Sequence, residues 1–442
     1  MEYFEWYDWI HEIMFQTNSV LLSLIGLAFF WQFLFMIFFF LKKKIFPKSK
    51  KKNRIAILIP ARNEESVIRQ TILDLKNKQK YPKNKFDIYV VADNCTDNTA
   101  EVATLAGANV FIHKDNDPKH HKKAYALQYG FRKMLELGLE YDFVIMFDAD
   151  NKANEDYLSL MNDAFNSGVK IARPCENSLN LDQNVWSKIS GLYYLRDSRF
   201  ACRVRERLHL NPMLTGAGMM VSYDIITKIN GWDCMSESED AEFTVKRIMD
   251  GYRVHYVEDA QVFEDQPSSL KDTFVRNERM GHGLHKLFWT GGFKMFFKFF
   301  ISFKISYIDL FLQLFFIPMA VLCCTWIPIY YVFDFFYCLF LRPTAENLLF
   351  LQNEWIVIGY ALLFAFYIAF VFQGTFILIT QRKNVRIKNT KSMIPAIFMF
   401  PFFMIIYCLA IFLGVVKKPK WKQVKRNTKY TNSWRKSLQK IL

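Results

Sequence analysis

Two carboxylates one residue apart, Asp148 and Asp150, stand at the end of the apolar run Phe143-Val144-Ile145-Met146-Phe147. A run of that kind reads as a buried strand, and its carboxyl end is the edge where open α/β sheets bind ligands. Hard oxygen donors at that edge suit Mg²⁺ or Mn²⁺ carrying a phosphate. Asp150 is the stronger ligand candidate, because it lies beyond the strand end. Alone, the spacing describes a solvated loop pair equally well, so the neighbouring segments decide.

Ile55-Ala56-Ile57-Leu58-Ile59 breaks at Pro60 into the polar turn Ala61-Arg62-Asn63-Glu64-Glu65, with a helical pattern from about Ser66. Phe86 to Ala92 repeats the design: an apolar strand, the acidic turn Asp93-Asn94-Cys95-Thr96-Asp97, then a helix. Strand, helix, strand, helix and the Asp148 strand make a doubly wound α/β nucleotide-binding layout with mainly parallel strands. Thr96 and Asp97 read as helix caps. Further on, Glu237, Glu239, Asp240 and Glu242 put four carboxylates into seven residues. That exceeds what a helix start requires of its dipole, and one of them could serve as a general base.

Taken in order, Pro60-Ala61-Arg62-Asn63-Glu64-Glu65, Val91 to Asp97, Lys123 to Leu127, Phe147 to Asp150, Gly216-Ala217-Gly218, Ser238-Glu239-Asp240 and Gln266 to Leu270 resemble the motif set of membrane-embedded family 2 glycosyltransferases. These include cellulose, chitin and hyaluronan synthases. The resemblance covers roughly residues 53 to 290 and implies a GT-A-type catalytic domain there, preceded by an anchor over 1–52 and followed by membrane segments over 291–442. It implies that Arg62, Glu64, Asp93, Lys123, Asp148 and Arg279 contact a nucleotide-sugar donor, a UDP-sugar foremost, and that Asp148 and Asp150 hold Mg²⁺ or Mn²⁺. It makes Asp240 the catalytic base, with Glu239 beside it, and assigns the acceptor to Gly216, Gly218 and Met280. Transfer would be inverting. The acceptor would be a lipid or a glycan.

One motif departs from the family. Where processive members carry Gln-x-x-Arg-Trp, this chain has Arg276-Asn277-Glu278-Arg279-Met280. Arg279 keeps a cation for the phosphates, but a flat aromatic surface for an acceptor sugar is lost at Met280. Single transfer to a lipid acceptor is therefore favoured over processive synthesis with translocation, although Trp289 could supply the missing ring. A noncatalytic scaffold is disfavoured, because every motif carboxylate is present.

Residues 20 to 41 form an apolar stretch long enough to cross a bilayer. Its N-terminal flank holds Glu2, Glu5, Asp8 and Glu12, and its other flank Lys42, Lys43, Lys44, Lys48 and Lys50 to Lys52, so the catalytic domain is expected in the cytosol of a multi-pass cell-membrane protein. The acidic flank and the lysines where a cleavage site would stand argue against a signal peptide. Lys294 to Lys304 interleaves lysines with aromatics, as an interfacial helix would. Apolar blocks follow near 307–340, 355–380 and 393–416. Basic residues flank the last block on both sides: Arg382, Lys383, Arg386, Lys388 and Lys391 before it, Lys417, Lys418, Lys420, Lys422, Lys425 and Arg426 after it. Both flanks want the same compartment, so either the first block breaks into two spans around Pro328 or the last bends back at Pro401. The net charge of +15 sits largely in these runs, where membrane lipids are a simpler partner than nucleic acid. The eight cysteines show no zinc spacing and read as reduced, packed thiols. His120 and His121 read as part of a basic loop near the phosphates.

Overall fold

A computed structural model describes residues 2–417 apart from Lys383, Arg386 and Lys388. Eight strands, β1 (Ile55–Ala61), β2 (Phe86–Asp93), β3 (Asn109–His113), β4 (Phe143–Met146), β5 (Lys152–Ala153), β6 (Ile171–Ser178), β7 (Met219–Ser222) and β8 (Val254–Glu264), form one sheet in the order β3-β2-β1-β4-β7-β6-β8-β5. The longer helices of the catalytic region are α1 (Glu2–Leu34, which precedes it), α2 (Glu65–Lys78), α3 (Thr99–Leu105), α4 (Lys123–Glu136), α5 (Tyr157–Asn166), α6 (Val185–Arg196), α7 (Arg203–Arg207), α8 (Tyr223–Lys228), α9 (Glu239–Met249) and α10 (Leu270–Leu287). The chain continues through α11 (Phe293–Ser302), α12 (Ile305–Phe336), α13 (Ala345–Tyr360), α14 (Ala369–Thr380) and α15 (Ile394–Val416).

The central strands read as unbroken apolar runs because both faces are covered. Leu58, Val91, Val144 and Met146 pack with Leu127 and Phe131 of α4 on one face. Their alternates Ile57, Ile59, Val90 and Ile145 pack with Ile68 and Ile72 of α2 on the other. β1 to β4 run parallel as the alternating pattern predicts, but β7 runs antiparallel to both β4 and β6. β6 and β8 pair parallel again, so the sheet is mainly parallel as expected, with β7 and the short β5 as its antiparallel strands. An antiparallel strand presents its beginning, not its end, at the ligand edge. Met146 pairs with Met219, so Gly216 to Gly218 arrive beside Phe147 and Asp148.

The first two turns at this edge are cross-linked. The Asp97 carboxylate accepts from the backbone N–H groups of Thr99 (3.0 Å) and Glu65 (3.2 Å), and Glu65 accepts in return from the Asn98 N–H (3.0 Å). Asp97 is thus the cap it was read as, serving two helices at once. Thr96 instead donates its N–H to Asn63 Oδ1 (2.8 Å), and Asn63 takes a positive φ of 55°.

Four helical stretches are long and apolar enough to cross a membrane among the described residues: Trp6–Phe38, Ile305–Leu341, Ala345–Thr380 and Thr390–Val416. α1 and α12 run antiparallel. At the catalytic end Trp31 Nε1 donates to Asp309 (3.1 Å), and at the far end His11 meets Asp334 (2.8 Å). α12 passes through Pro318 and Pro328 without interruption, and α15 passes through Pro401 likewise. Neither expected break occurs. Ahead of α15, Asn384 accepts from Asn177 at the end of β6 (3.0 Å), and at its other end the Gly414 carbonyl lies 2.8 Å from His282 Nδ1 on α10. Both ends of α15 are tied to the catalytic domain. The flanking Lys383, Arg386, Lys388, Lys418, Lys420, Lys422, Lys425 and Arg426 lie outside the described residues. In α11, Phe297, Phe300 and Ile301 are exposed while Met295 is buried, the one-sided pattern of an interfacial helix.

Candidate active site

The sheet's ligand edge opens into a cleft of about 460 Å³. β1 and β2 deliver Arg62, Glu64 and Asp93, β4 delivers Asp148, and the approach to β7 delivers Gly216. The starts of α4 and α9 contribute Lys123, Glu239 and Asp240, and α10 contributes Arg276, Arg279 and Met280. Residues more than two hundred positions apart are brought together because strand ends and helix starts share this edge.

Lys123 is the electrostatic centre of the cleft. Its Nζ lies 2.5 Å from Asp148 Oδ1 and 3.6 Å from Glu239 Oε1, and it donates to the Gly216 carbonyl (3.3 Å). Burial works against its charge, but Asp148, Glu239 and Asp240 together hold its pKa well above the usual lysine range. A Cβ on Gly216 would stand 2.5 Å from that Nζ, so glycine leaves the room this cluster occupies. Burial pushes Glu239 up to about 7, with Lys123 opposing the rise and Asp240 adding to it. Asp240 is raised by burial as well, again against Lys123 and with the charge of Asp148 assisting. Its Oδ1 accepts from the Ala241 N–H (2.8 Å), which fixes the carboxylate at the helix start.

Also lining the cleft, Glu264 ends β8 and Glu176 lies near the end of β6. Glu264 is held well above the carboxylate range by burial and then by Glu176, Asp148 and Asp150. Glu176 is pushed up to about 7 by burial, with Arg173 opposing and Asp197 adding. Burial thus favours the neutral form of both glutamates in the absence of a cation. Asp148, Asp150 and Glu264 have the hard-oxygen chemistry that Mg²⁺ or Mn²⁺ requires. Arg276 donates to Gln266 Oε1 (2.7 Å), lies 3.8 Å from Glu264 and stacks 5.2 Å from the centroid of the Tyr194 ring.

Most of the residues singled out from the sequence therefore meet in one place. Arg62 is additionally held by His121, through the backbone carbonyl (3.3 Å) and Nδ1 (3.2 Å), so the basic loop does border the cleft. Asp93 receives His113 Nδ1 at 2.6 Å. Gly218 does not line the cleft. Its φ of +68° and the 2.6 Å approach of Val262 to a Cβ there make it a packing position at the start of β7, not an acceptor contact. Trp289 also falls outside, 56% exposed beside His285, and the aromatic ring in the cleft is Tyr194. Glu176, Glu264 and Tyr194 were missed. Glu176 lies inside β6 and Glu264 at the end of β8, strands without the clean apolar run that marks Asp148, and Tyr194 lies in a helix with no chemical signature.

The model of the glycosyltransferase like family 2 matches residues 53–283, more than half of the chain. The chain belongs to glycosyltransferase family 2. With this membership goes the GT-A fold. Among curated relatives of this family 2 enzyme, the probable glycosyltransferase YdaM of Bacillus subtilis (strain 168) is 27% identical over 243 residues, 53% of this chain and 56% of that one. The poly-beta-1,6-N-acetyl-D-glucosamine synthase of Staphylococcus aureus (strain COL) is 24% identical over 281 residues, 61% of this chain and 66% of that one. The chain therefore spans between about half and two thirds of these relatives' lengths. Its fold also matches the mannosyltransferase PcManGT from Pyrobaculum calidifontis, solved with GDP-Man and Mn²⁺, at a TM-score of 0.54 and 16% identity, covering 84% of this chain and 99% of the other.

Proposed function

We propose that this family 2 enzyme transfers a sugar from a nucleotide-sugar donor, a UDP-sugar foremost, to a lipid-borne acceptor at the membrane, with inversion and with a divalent cation. The observation that carries the acceptor class is a second cavity of about 160 Å³ between the catalytic domain and the membrane helices, which shares Met213 and Leu284 with the cleft. Its walls are the rings of Phe29, Phe33, Phe316, Phe370 and Tyr407 together with Arg196, which suits an apolar chain with a charged or sugar-bearing head. Asp148 and Asp150 would hold the cation, with Glu264 beside them, and the cation would take up charge developing on the departing diphosphate. Lys123 and Arg279 are positioned to bind phosphate oxygens. Asp240 accepts the proton of the acceptor hydroxyl as its oxygen bonds to the anomeric carbon and the bond to diphosphate breaks. Attack opposite the leaving group inverts the anomeric centre.

Membranes containing the enzyme, given radiolabelled UDP- and GDP-sugars in turn, are expected to incorporate label into a solvent-extractable lipid whose size does not grow with time. The poly-beta-1,6-N-acetyl-D-glucosamine synthase among the relatives supports a processive reading instead. A ladder extending to high mass would establish that reading, and label from no donor would remove the assignment altogether.

The same proposal requires the cleft to face cytosolic donor. Lys50 and Lys417 are exposed at the catalytic end and Glu346 is exposed at the opposite end of the helices. Lys50→Cys and Lys417→Cys should resist a membrane-impermeant maleimide in intact cells and react after lysis, while Glu346→Cys should react in both. Labelling of Lys50→Cys in intact cells would put the active site outside, and labelling of Lys417→Cys alone would show that α15 crosses.

A further inference from the structure

At the end of the membrane helices opposite the active site, three helices converge on a buried polar cluster that sugar transfer does not use. His11 of α1, Asp334 of α12 and Cys338 in the following π-helical turn Tyr337–Leu341 bring a ring nitrogen, a carboxylate oxygen and a thiol within 4.8 Å of one another. His11 Nε2 lies 2.8 Å from Asp334 Oδ1, and Cys338 Sγ lies 3.8 Å from the same oxygen. Asp334 and Cys338 share a helix face by their spacing of four, and π-helical turns recur at functional sites.

The cluster carries more negative charge than its protein partners neutralise. Asp334 is completely buried, yet its Oδ2 has no hydrogen-bond partner among the described residues. Glu354 of α13 adjoins the Asp334 carboxyl and accepts from the Tyr330 hydroxyl at Oε1 (3.4 Å), with its own Oε2 likewise unpartnered. No lysine or arginine among the described residues forms an ion pair with either carboxylate. Arg342, at the same end of the helices, is engaged by Asp8 through a forked contact. The donors present reach only Asp334 Oδ1 and Glu354 Oε1, so the second oxygen of each carboxylate needs either a shared proton or a cation. The histidine and the thiol beside them favour a cation.

We propose that His11, Asp334, Cys338 and Glu354 form a zinc site that clamps α1, α12 and α13 together. A tetrahedral zinc with bonds of about 2.0–2.3 Å holds its ligands roughly 3.3–3.8 Å apart, so the separations among His11, Asp334 and Cys338, all within 4.8 Å, need only small rotamer changes, and Glu354 would swing in as the fourth ligand. Nitrogen, thiolate and carboxylate donors select zinc over the hard Mg²⁺ or Mn²⁺ of the active site. The His11 ring is already oriented, stacked on Tyr337 at 3.9 Å between centroids with 9° between planes and edge-on to Phe350. Binding would release the Cys338 proton to solvent.

The test uses the full chain in detergent, carrying Asp150→Asn so that the catalytic cation does not contribute. After zinc loading and gel filtration, elemental analysis is expected to find about one zinc per chain. Cys338→Ser and Asp334→Asn should each lower metal affinity at least about tenfold. Loading with Co²⁺ should give a near-ultraviolet thiolate-to-metal band that Cys338→Ser removes. A metal-free product with no cobalt band, read on the chain with all four ligands intact and so independent of how the variants fold, would overturn the proposal. Unchanged affinity in folded Cys338→Ser and Asp334→Asn would overturn it too.

Discussion

Asp240→Asn is expected to lower turnover by roughly 10²-fold or more while leaving donor affinity nearly intact, the scale of losing a general base. The structure separates the two quantities. Asp240 lies at the start of α9 with its pKa raised by burial, which makes it a stronger base than a free aspartate, whereas the cations suited to phosphate are Lys123 and Arg279 on other helices. Asparagine keeps the shape and can still accept from the Ala241 N–H, so the helix start survives and only the proton acceptor is lost. Donor affinity by calorimetry and single-turnover rate by radiolabel check it. A fall in affinity with normal turnover of bound donor would make Asp240 a binding residue.

Asp150→Asn is expected to abolish transfer by removing Mn²⁺- or Mg²⁺-dependent donor binding, leaving only the weak binding measured in chelator. An amide is a neutral and poorer ligand for a hard cation. Its position explains why the loss should be large: Asp150 acts electrostatically on both Glu264 and Arg276, so its charge is part of the balance across the cleft and not only a contact. Titrating donor with and without metal separates the outcomes. Metal-dependent activity unchanged from the parent would take Asp150 out of the site.

The half of the sheet that was legible is the half with short local loops. β1, β2 and β4 announce themselves as apolar runs ending in polar turns, and each hands its last residues to the cleft, which is why Arg62, Glu64, Asp93 and Asp148 could be named. β7 could not be oriented in advance, because about forty residues separate it from β6 and strand direction depends on which edge that long connection returns to. Gly218 is ambiguous for a different reason. A glycine demanded by positive φ and close packing looks, in sequence, like one demanded by a ligand. Glu176 and Glu264 sit in strands whose alternation is irregular, with a register shift between Pro174 and Cys175, so their convergence emerges only from pairing β6 with β8. The membrane blocks were visible by hydropathy, but hydropathy measures composition and not path. α15 is apolar enough to cross, yet its two ends are tethered by polar contacts at Asn384 and Gly414.

One contact bears on how this enzyme can be handled. Arg205 of the catalytic domain is 2% exposed and grips Asp309 of α12 with Nε at 2.9 Å and Nη2 at 3.0 Å, its guanidinium lying 4.3 Å from the Phe35 ring centroid. Trp31 and Gln313 complete the coordination of the same carboxylate, at 3.1 and 3.0 Å. Stripping one partner from such a pair costs on the order of 3–5 kcal/mol, because the remaining charge stays in a medium that cannot solvate it. A fragment trimmed to the family 2 region would carry Arg205 without Asp309 and an apolar underside without its lid. The catalytic domain and the apolar helices thus share a buried ion pair, and the intact chain is the form on which to study the reaction.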